Sequence, residues 1–399
     1  MFLELHIIQN FAPSNLNRDD RGAPKDCEFG GVRRARISSQ CIKRAIRTAL
    51  KGEALLSDAE LASRTKRVVD YLASRLASAG HNDVEARSVV GAALAGIGLQ
   101  LADADKTQYL LYLGAKELDV VAELCRKHWD TLIAIAQATK GSSGAKQSAA
   151  DSKKAGKAAL DANVREEFLR ALDGRRAADL ALFGRMIADM PDHNVDAASQ
   201  VAHAISTNRL SAEFDFYTAV DDLKPEDTAG ADMLGTIEFN SACFYRYANV
   251  DLAKLARNLD DPDLARRTLE AFIRASISAI PTGKQNSFAA QNPPSLVLAV
   301  LRDRGLCSLA NAFVQPVRPD GTGDLVGNSI RALDDYWGKL TGMYGTDGIQ
   351  AVASATYEPE ALSALKSTNV GTVEKLVGSV LARADELGWT AGAAKGGAA

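Results

Sequence analysis

MFLELHIIQNFAPSNLNRDDRGAPKDCEFGGVRRARISSQCIKRAIRTALK, residues 1–51, holds the elements from which the rest of the chain is read. Leu3, Leu5 and Ile7 alternate with Glu4 and His6, the period of a half-buried strand. From about 13 to 31, Asn, Asp, Arg and Gly dominate, which predicts a loop. Ser38 and Ser39 then offer an N-cap. After them Ile42, Ala45, Ile46, Ala49 and Leu50 recur at helical spacing, predicting a helix with one apolar stripe that runs to about Lys51.

Further along, 53–138 reads as several Ala/Leu-rich helices, and TKGSSGAKQSAADSKKAGKAA (139–159) as a flexible low-complexity stretch. Helix resumes from 161 to 172, and 179–186 reads as a short buried strand. From 187 to 235 the pattern breaks into a long loop-like excursion carrying VAHAIST (201–207) and FDFYTAV (214–220). GTIEFNSACFYRYANV (235–250) predicts a strand, followed by a helix toward 280 with a break at Pro262. PTGKQNS (281–287) is a turn, PSLVLAVLR (294–302) a buried strand, 329–344 and 373–387 helices, and 391–399 a disordered tail. Strand–helix–strand twice over, with long insertions, predicts an α+β protein on a ferredoxin-like sheet of the kind RNA-recognition domains share. The sheet-face aromatic motif of ordinary RNA-recognition modules is absent.

At 46% hydrophobic and 24% charged residues, most of the chain should fold. Cys27, Cys41, Cys125, Cys243 and Cys307 form no CxxC pair and read as free thiols in a reducing compartment. No signal peptide or membrane span is legible, so a cytoplasmic protein without a membrane partner is expected.

The net charge of −3 hides a local excess. Arg33, Arg34, Arg36, Lys43, Arg44, Arg47 and Lys51 fall within 32–51, where no acid occurs. On the helix, Lys43, Arg44, Arg47 and Lys51 lie opposite the apolar stripe, with Gln40 at the N-terminal end, an arrangement suited to a polyanion. A solvated face normally mixes signs, and this one does not. Catalytic signals are weak. His6, His81, His128, His193 and His203 lack ligand-like spacing, and no phosphate-binding glycine loop is present. Asp19 and Asp20 beside Arg18 are the only acids placed where Mg²⁺ or acid–base chemistry suggests itself. No catalytic residue, metal site or cofactor is therefore expected.

One longer pattern bears on function. NLNRDDRGAPKDCEFGGVRRARISSQCIKRAIR (15–47), LALFGRM (180–186), AHAIST (202–207), FYTAVDDL (216–223), LGTIEFNSACFYRYANVDL (234–252), GKQNSFAAQNP (283–293) and SLANAF (308–313) occur in this order. Together they resemble the CasC (Cse-type) backbone subunits of type I-E CRISPR Cascade complexes. The resemblance implies a hand-like protein whose copies, six in complexes of this type, stack along a guide RNA (crRNA). Each copy kinks the RNA so that it can pair with target DNA in antiviral defence, and other Cascade subunits complete the complex.

On this chain the resemblance implies an RNA-recognition-like palm at 1–52, 179–187 (a strand) and 235–390. The helical fingers would be 53–178 and the thumb 188–234. It places RNA-backbone contacts at Arg18, Lys25, Ser38, Gln40, Lys43, Arg44 and Arg47, and a further phosphate contact at Lys284. Met186 stands as an apolar wedge near the displaced nucleotide, and Phe216 and Tyr217 as the thumb's aromatic pair. The function implied is non-catalytic RNA holding. Two alternatives remain at this point: a metal-dependent endoribonuclease backbone subunit using Asp19 or Asp20, and a free-standing single-stranded RNA binder.

Overall fold

The computed structural model describes residues 1–52, 56–102, 105–141, 160–219, 233–319 and 324–390. They fall into two compact units, the first within 1–53, 199–253 and 269–391, the second within 54–198 and 254–268. The second unit therefore reaches further than the expected fingers (53–178) and takes in 188–198, the start of the expected thumb. Among the described residues no helix is long and apolar enough to cross a membrane.

In chain order the strands are β1 (Phe2–Ser14), β2 (Asp26–Phe29), β3 (Val32–Ile37), β4 (Ala62–Thr65), β5 (Leu111–Gly114), β6 (Ser199–Val201), β7 (Ala204–Ser206), β8 (Glu213–Ala219), β9 (Met233–Asp251), β10 (Leu296–Arg302) and β11 (Ile349–Thr356). The first unit is built on a sheet of order β11-β10-β1-β9-β7-β3-β2, with β6 and β8 also paired to β9. Its strand pairings are antiparallel, with His6 opposite Tyr247 on one side and Leu298 on the other. Helix α1 (Ser39–Gly52) follows β3.

β1 is buried on both faces, not one as its alternation predicts. Leu5 and Ile7 line one small cavity with Ile42 and Ile46 of α1. Burying each such side chain stabilises by roughly 1.5–3 kcal/mol. On the opposite face Ile8, Tyr245 and Leu298 pack with Phe313 and with Ile330 and Leu333 of the helix Leu325–Tyr344. The polar residues of β1 tolerate burial because distant groups satisfy them. Glu4 accepts from Tyr247 Oη at 2.7 Å and from the Cys307 amide at 2.6 Å, and Arg302 pairs with it. His6 Nδ1 lies 2.9 Å from Tyr245 Oη, and burial with Arg302 nearby lowers the His6 pKa to about 3, keeping the ring neutral.

Three sequence expectations are corrected here. Residues 26–29, expected as loop, pair with 32–37 in the β2–β3 hairpin. Gly30 and Gly31 supply its turn, with φ of +61° and +72°, a conformation that favours glycine. The strand expected at 179–187 is instead a helix, Ala178–Phe183, in the second unit. Its short Ala/Leu run carries no decisive period, and the Asp179 carboxylate accepts the Ala62 amide at 2.7 Å. The excursion at 199–219 is not loop but β6, β7 and β8, the last paired with the start of β9. The stretch 142–159, the segment 220–232 and the tail 391–399 lie outside the described residues.

The second unit packs the helices Val68–Ser78, Asp83–Ile97, Ala115–Lys127 and Ala162–Ala171 around Leu72, Val89, Leu94, Val121 and Phe168, beside the β4–β5 pair. At its centre Arg185 and Glu117 form a buried ion pair at 2.7 Å.

Candidate nucleic-acid interface

The N-terminus of α1 is fixed from two directions. Ser38 Oγ accepts the Cys41 amide at 3.3 Å, and the Ser38 amide donates to Asn17 Oδ1 at 2.8 Å. Ser38 is thus a buried helix cap, an anchor for the site as much as a contact within it. With Ile42, Ile46 and Leu50 buried, the polar face is left to Gln40 and Arg44, both exposed, and to Lys43 and Arg47, both half-exposed. Partial burial lowers the Lys43 pKa from the usual lysine value.

The loop before β2 makes a second cationic surface. Asp19 Oδ1 accepts the amides of Arg21 and Ala23, each at 2.9 Å, while the Asp19 amide donates to Ala23 O at 2.9 Å. The carboxylate closes the turn, and Arg18, Arg21 and Lys25 then line one cleft of about 850 Å³ with Arg33, Arg36 and Lys284. Three carboxylates share this lining with the six cations, Asp19, Asp26 and Glu238. Asp26 is paired with Arg33 at 2.6 Å. The balance of the cleft is therefore positive and suits an anion. Lys284 sits at a φ of +52° at the start of the short turn of helix Gln285–Phe288.

Aromatic surface comes from the β8–β9 hairpin. Tyr217 pairs with Gly235, and its ring fills the space that a Cβ there would occupy, within 2.3 Å of that position. Phe214 and Phe216 are 69% and 63% exposed, unusual for large apolar side chains. Phe214 and Tyr217 line the cleft, whereas Phe216 does not.

His203 bridges a cation of the cleft and the start of the helix. His203 Nδ1 lies 3.0 Å from Arg36 Nη1 and 3.4 Å from the Ser39 amide. Arg36 Nε also donates to Asp26 O at 3.0 Å, so its guanidinium is held between β2 and the start of β7.

Of the residues expected at the site, Arg18, Lys25, Tyr217 and Lys284 converge on the cleft. Ser38, Gln40, Lys43, Arg44 and Arg47 share α1 or its cap. Met186 lies in the second unit, 81% exposed. The sequence reading missed Arg21, Phe214 and His203. It counted Arg34 as a cation of the basic stretch, but the Arg34 side chain is fully buried and bound to backbone carbonyls. Arg21 was legible from the charge of its loop, while Phe214 and His203 gave no local signal.

Among the described residues no three of His, Cys, Asp and Glu converge as a metal site would require. Burial pushes the Cys125 thiol up to about 12 and the Cys243 thiol up to about 11, so neither supplies a thiolate near neutral pH.

The family model described as CT1975-like protein matches residues 3–379. This chain belongs to that family. The CT1975-like fold also matches a chain of a solved "CRISPR RNA-guided surveillance complex, pre-nicking", at 30% identity and a TM-score of 0.83, covering 96% of this chain and 100% of that one. A chain of a second solved structure, "CRISPR RNA-guided surveillance complex", matches at 26% identity and a TM-score of 0.71, covering 96% and 99%. No curated protein matches the sequence. The likeness to chains of CRISPR RNA-guided surveillance complexes thus extends over nearly the whole length of the chain.

Proposed function

We propose that this chain is a non-catalytic crRNA-binding backbone subunit of a type I-E Cascade surveillance complex. Several copies stack along one guide, grip its phosphates and present its bases to target DNA, in company with the other Cascade subunits. The observation that carries this reading is the junction of a six-cation cleft with the acid-free face of α1. A guide of arbitrary sequence must be held by its backbone, while base pairing supplies specificity.

The palm reading is supported by strand order. β10, β1, β9 and β7 are neighbours, with α1 between β1 and β7 in sequence and the helices Leu252–Leu259 and Pro262–Ser278 between β9 and β10. This is the order of a ferredoxin-like sheet. Both faces of β1 are covered, so RNA is held at the edge loops and at α1, not on the sheet face. The nuclease alternative would fall to Asp19 or Asp20, and Asp19 Oδ1 already accepts two amides of its own turn.

Purification from the native host and sequencing of the bound RNA tests this reading. A discrete complex carrying RNAs of uniform length, with a shared repeat and varied spacers, is expected. Heterogeneous cellular RNA, or none, would overturn it.

A further inference from the structure

His203 occupies the seam between the cleft and α1, and its hydrogen bonds define its protonation state. A guanidinium has only donors, so the 3.0 Å contact between Arg36 Nη1 and His203 Nδ1 requires an unprotonated Nδ1. The Ser39 amide, also a donor, faces the same nitrogen at 3.4 Å. The ring is therefore neutral, with its proton on Nε2. The charged groups around it are Arg36 on β3 and Lys25 on the preceding loop, and no carboxylate is among its partners among the described residues. Partial burial first, then Arg36 and Lys25, lower its pKa below the ordinary histidine value.

An arriving phosphate changes each of these terms. It accepts from Arg36 and from the Ser39 amide in place of Nδ1. It also brings a negative charge to a ring otherwise faced by two cations. Nδ1, released from Arg36, is then free to bind a proton from solvent, and imidazolium donates where imidazole accepted.

Resting on the RNA-binding reading above, we infer that His203 is a proton-taking contact: it holds Arg36 in place in the free subunit and becomes a phosphate donor when RNA is bound. The sign follows from linkage. The free ring has a lowered pKa and the bound ring a higher one, so binding takes up a proton between the two values. Affinity rises as pH falls through that window and is flat above it.

The test is affinity of the full chain for a 5′-hydroxyl oligouridylate at constant ionic strength, between about pH 7.5 and about pH 5.5. This probe has no titrating phosphate monoester and no base that protonates in the range. The comparison is His203→Gln, whose side-chain carbonyl still accepts from Arg36 but cannot take a proton. Wild-type affinity should rise as pH falls, with a limiting slope of about tenfold per pH unit for one proton. His203→Gln should lose that slope. The His203 imidazole signal, followed by NMR in selectively labelled full chain, should titrate at higher pH with RNA than without. Equal pH slopes in the two proteins, or an imidazole titration that RNA does not move, would overturn the inference while leaving RNA binding standing. No binding at any pH would overturn both.

Discussion

Arg34→Met should lower the stability of the first unit by about 3–5 kcal/mol, a loss reserved for buried networks. Sequence alone makes Arg34 one of seven interchangeable cations. In the fold its side chain is fully buried. Nη1 donates to Ser206 O at 2.8 Å and Thr207 O at 2.9 Å; Nη2 donates to Phe313 O at 2.7 Å and Val314 O at 3.2 Å. The guanidinium also lies 5.7 Å from the centre of the Phe29 ring. One side chain thus ties β3 to the end of β7 and to the segment after β10. Methionine restores the packing of the stem but leaves buried carbonyls without a donor, at about 1–3 kcal/mol for each unsatisfied group. Lysine keeps the charge without the planar fork and should fall between the two. Denaturant melts followed at Trp337 and Trp389 report this unit, and Trp129 the other. A loss below about 1 kcal/mol would show that these carbonyls do not need the guanidinium.

Breaking the second unit's buried pair should have an effect of similar size. Arg185 Nη1 reaches both oxygens of Glu117, at 2.7 and 2.9 Å, and Nη2 reaches Leu172 O at 2.9 Å and His193 O at 3.1 Å. Glu117 in turn accepts the amides of Gly114 at 2.7 Å and Gly174 at 2.8 Å. Glu117→Gln or Arg185→Met leaves one buried charge uncompensated and should cost about 3–5 kcal/mol. The double variant should lose less than the sum of the two single losses, because neither charge is then stranded. Strict additivity would show that the pair does not act as a unit. Met186 adjoins this network, and the Arg185 and Val195 backbones exchange two hydrogen bonds of 2.9 Å beside it. Met186 itself is 81% exposed.

Local signals carried much of this fold and little of its wiring. α1 was legible because its apolar residues keep a 3.6-residue period over three turns and a serine opens it. β10 was legible as an apolar run after turn residues, and β9 as a strand within 235–250. Long-range pairing was not legible. Nothing near Glu4 announces Tyr247, and nothing near Asp179 announces the Ala62 amide, yet these contacts decide that β1 is buried on both faces and anchor the helix at 178–183. The basic stretch told its charge but not its division of labour, since a cation that braces backbone and one that faces solvent share a letter. Arg33 and Arg34 are neighbours, one paired with Asp26 at the surface and the other buried. Phe214 and Tyr217 both line the cleft, which alternation along 214–217 does not reveal.

On the proposed function, phosphates are held and bases are not read. The measurement that tests it most directly is the salt dependence of affinity for two unrelated guide RNAs, in wild type and in Lys43→Gln/Arg44→Gln/Arg47→Gln. Glutamine keeps helix propensity, and Ile42, Ile46 and Leu50 stay buried, so the melting curve should barely move. The slope of log K against log salt should fall in magnitude by about 2, at roughly 0.7 per phosphate contact, and by the same amount on both guides. An unchanged slope with intact folding, or a loss confined to one guide, would contradict the account.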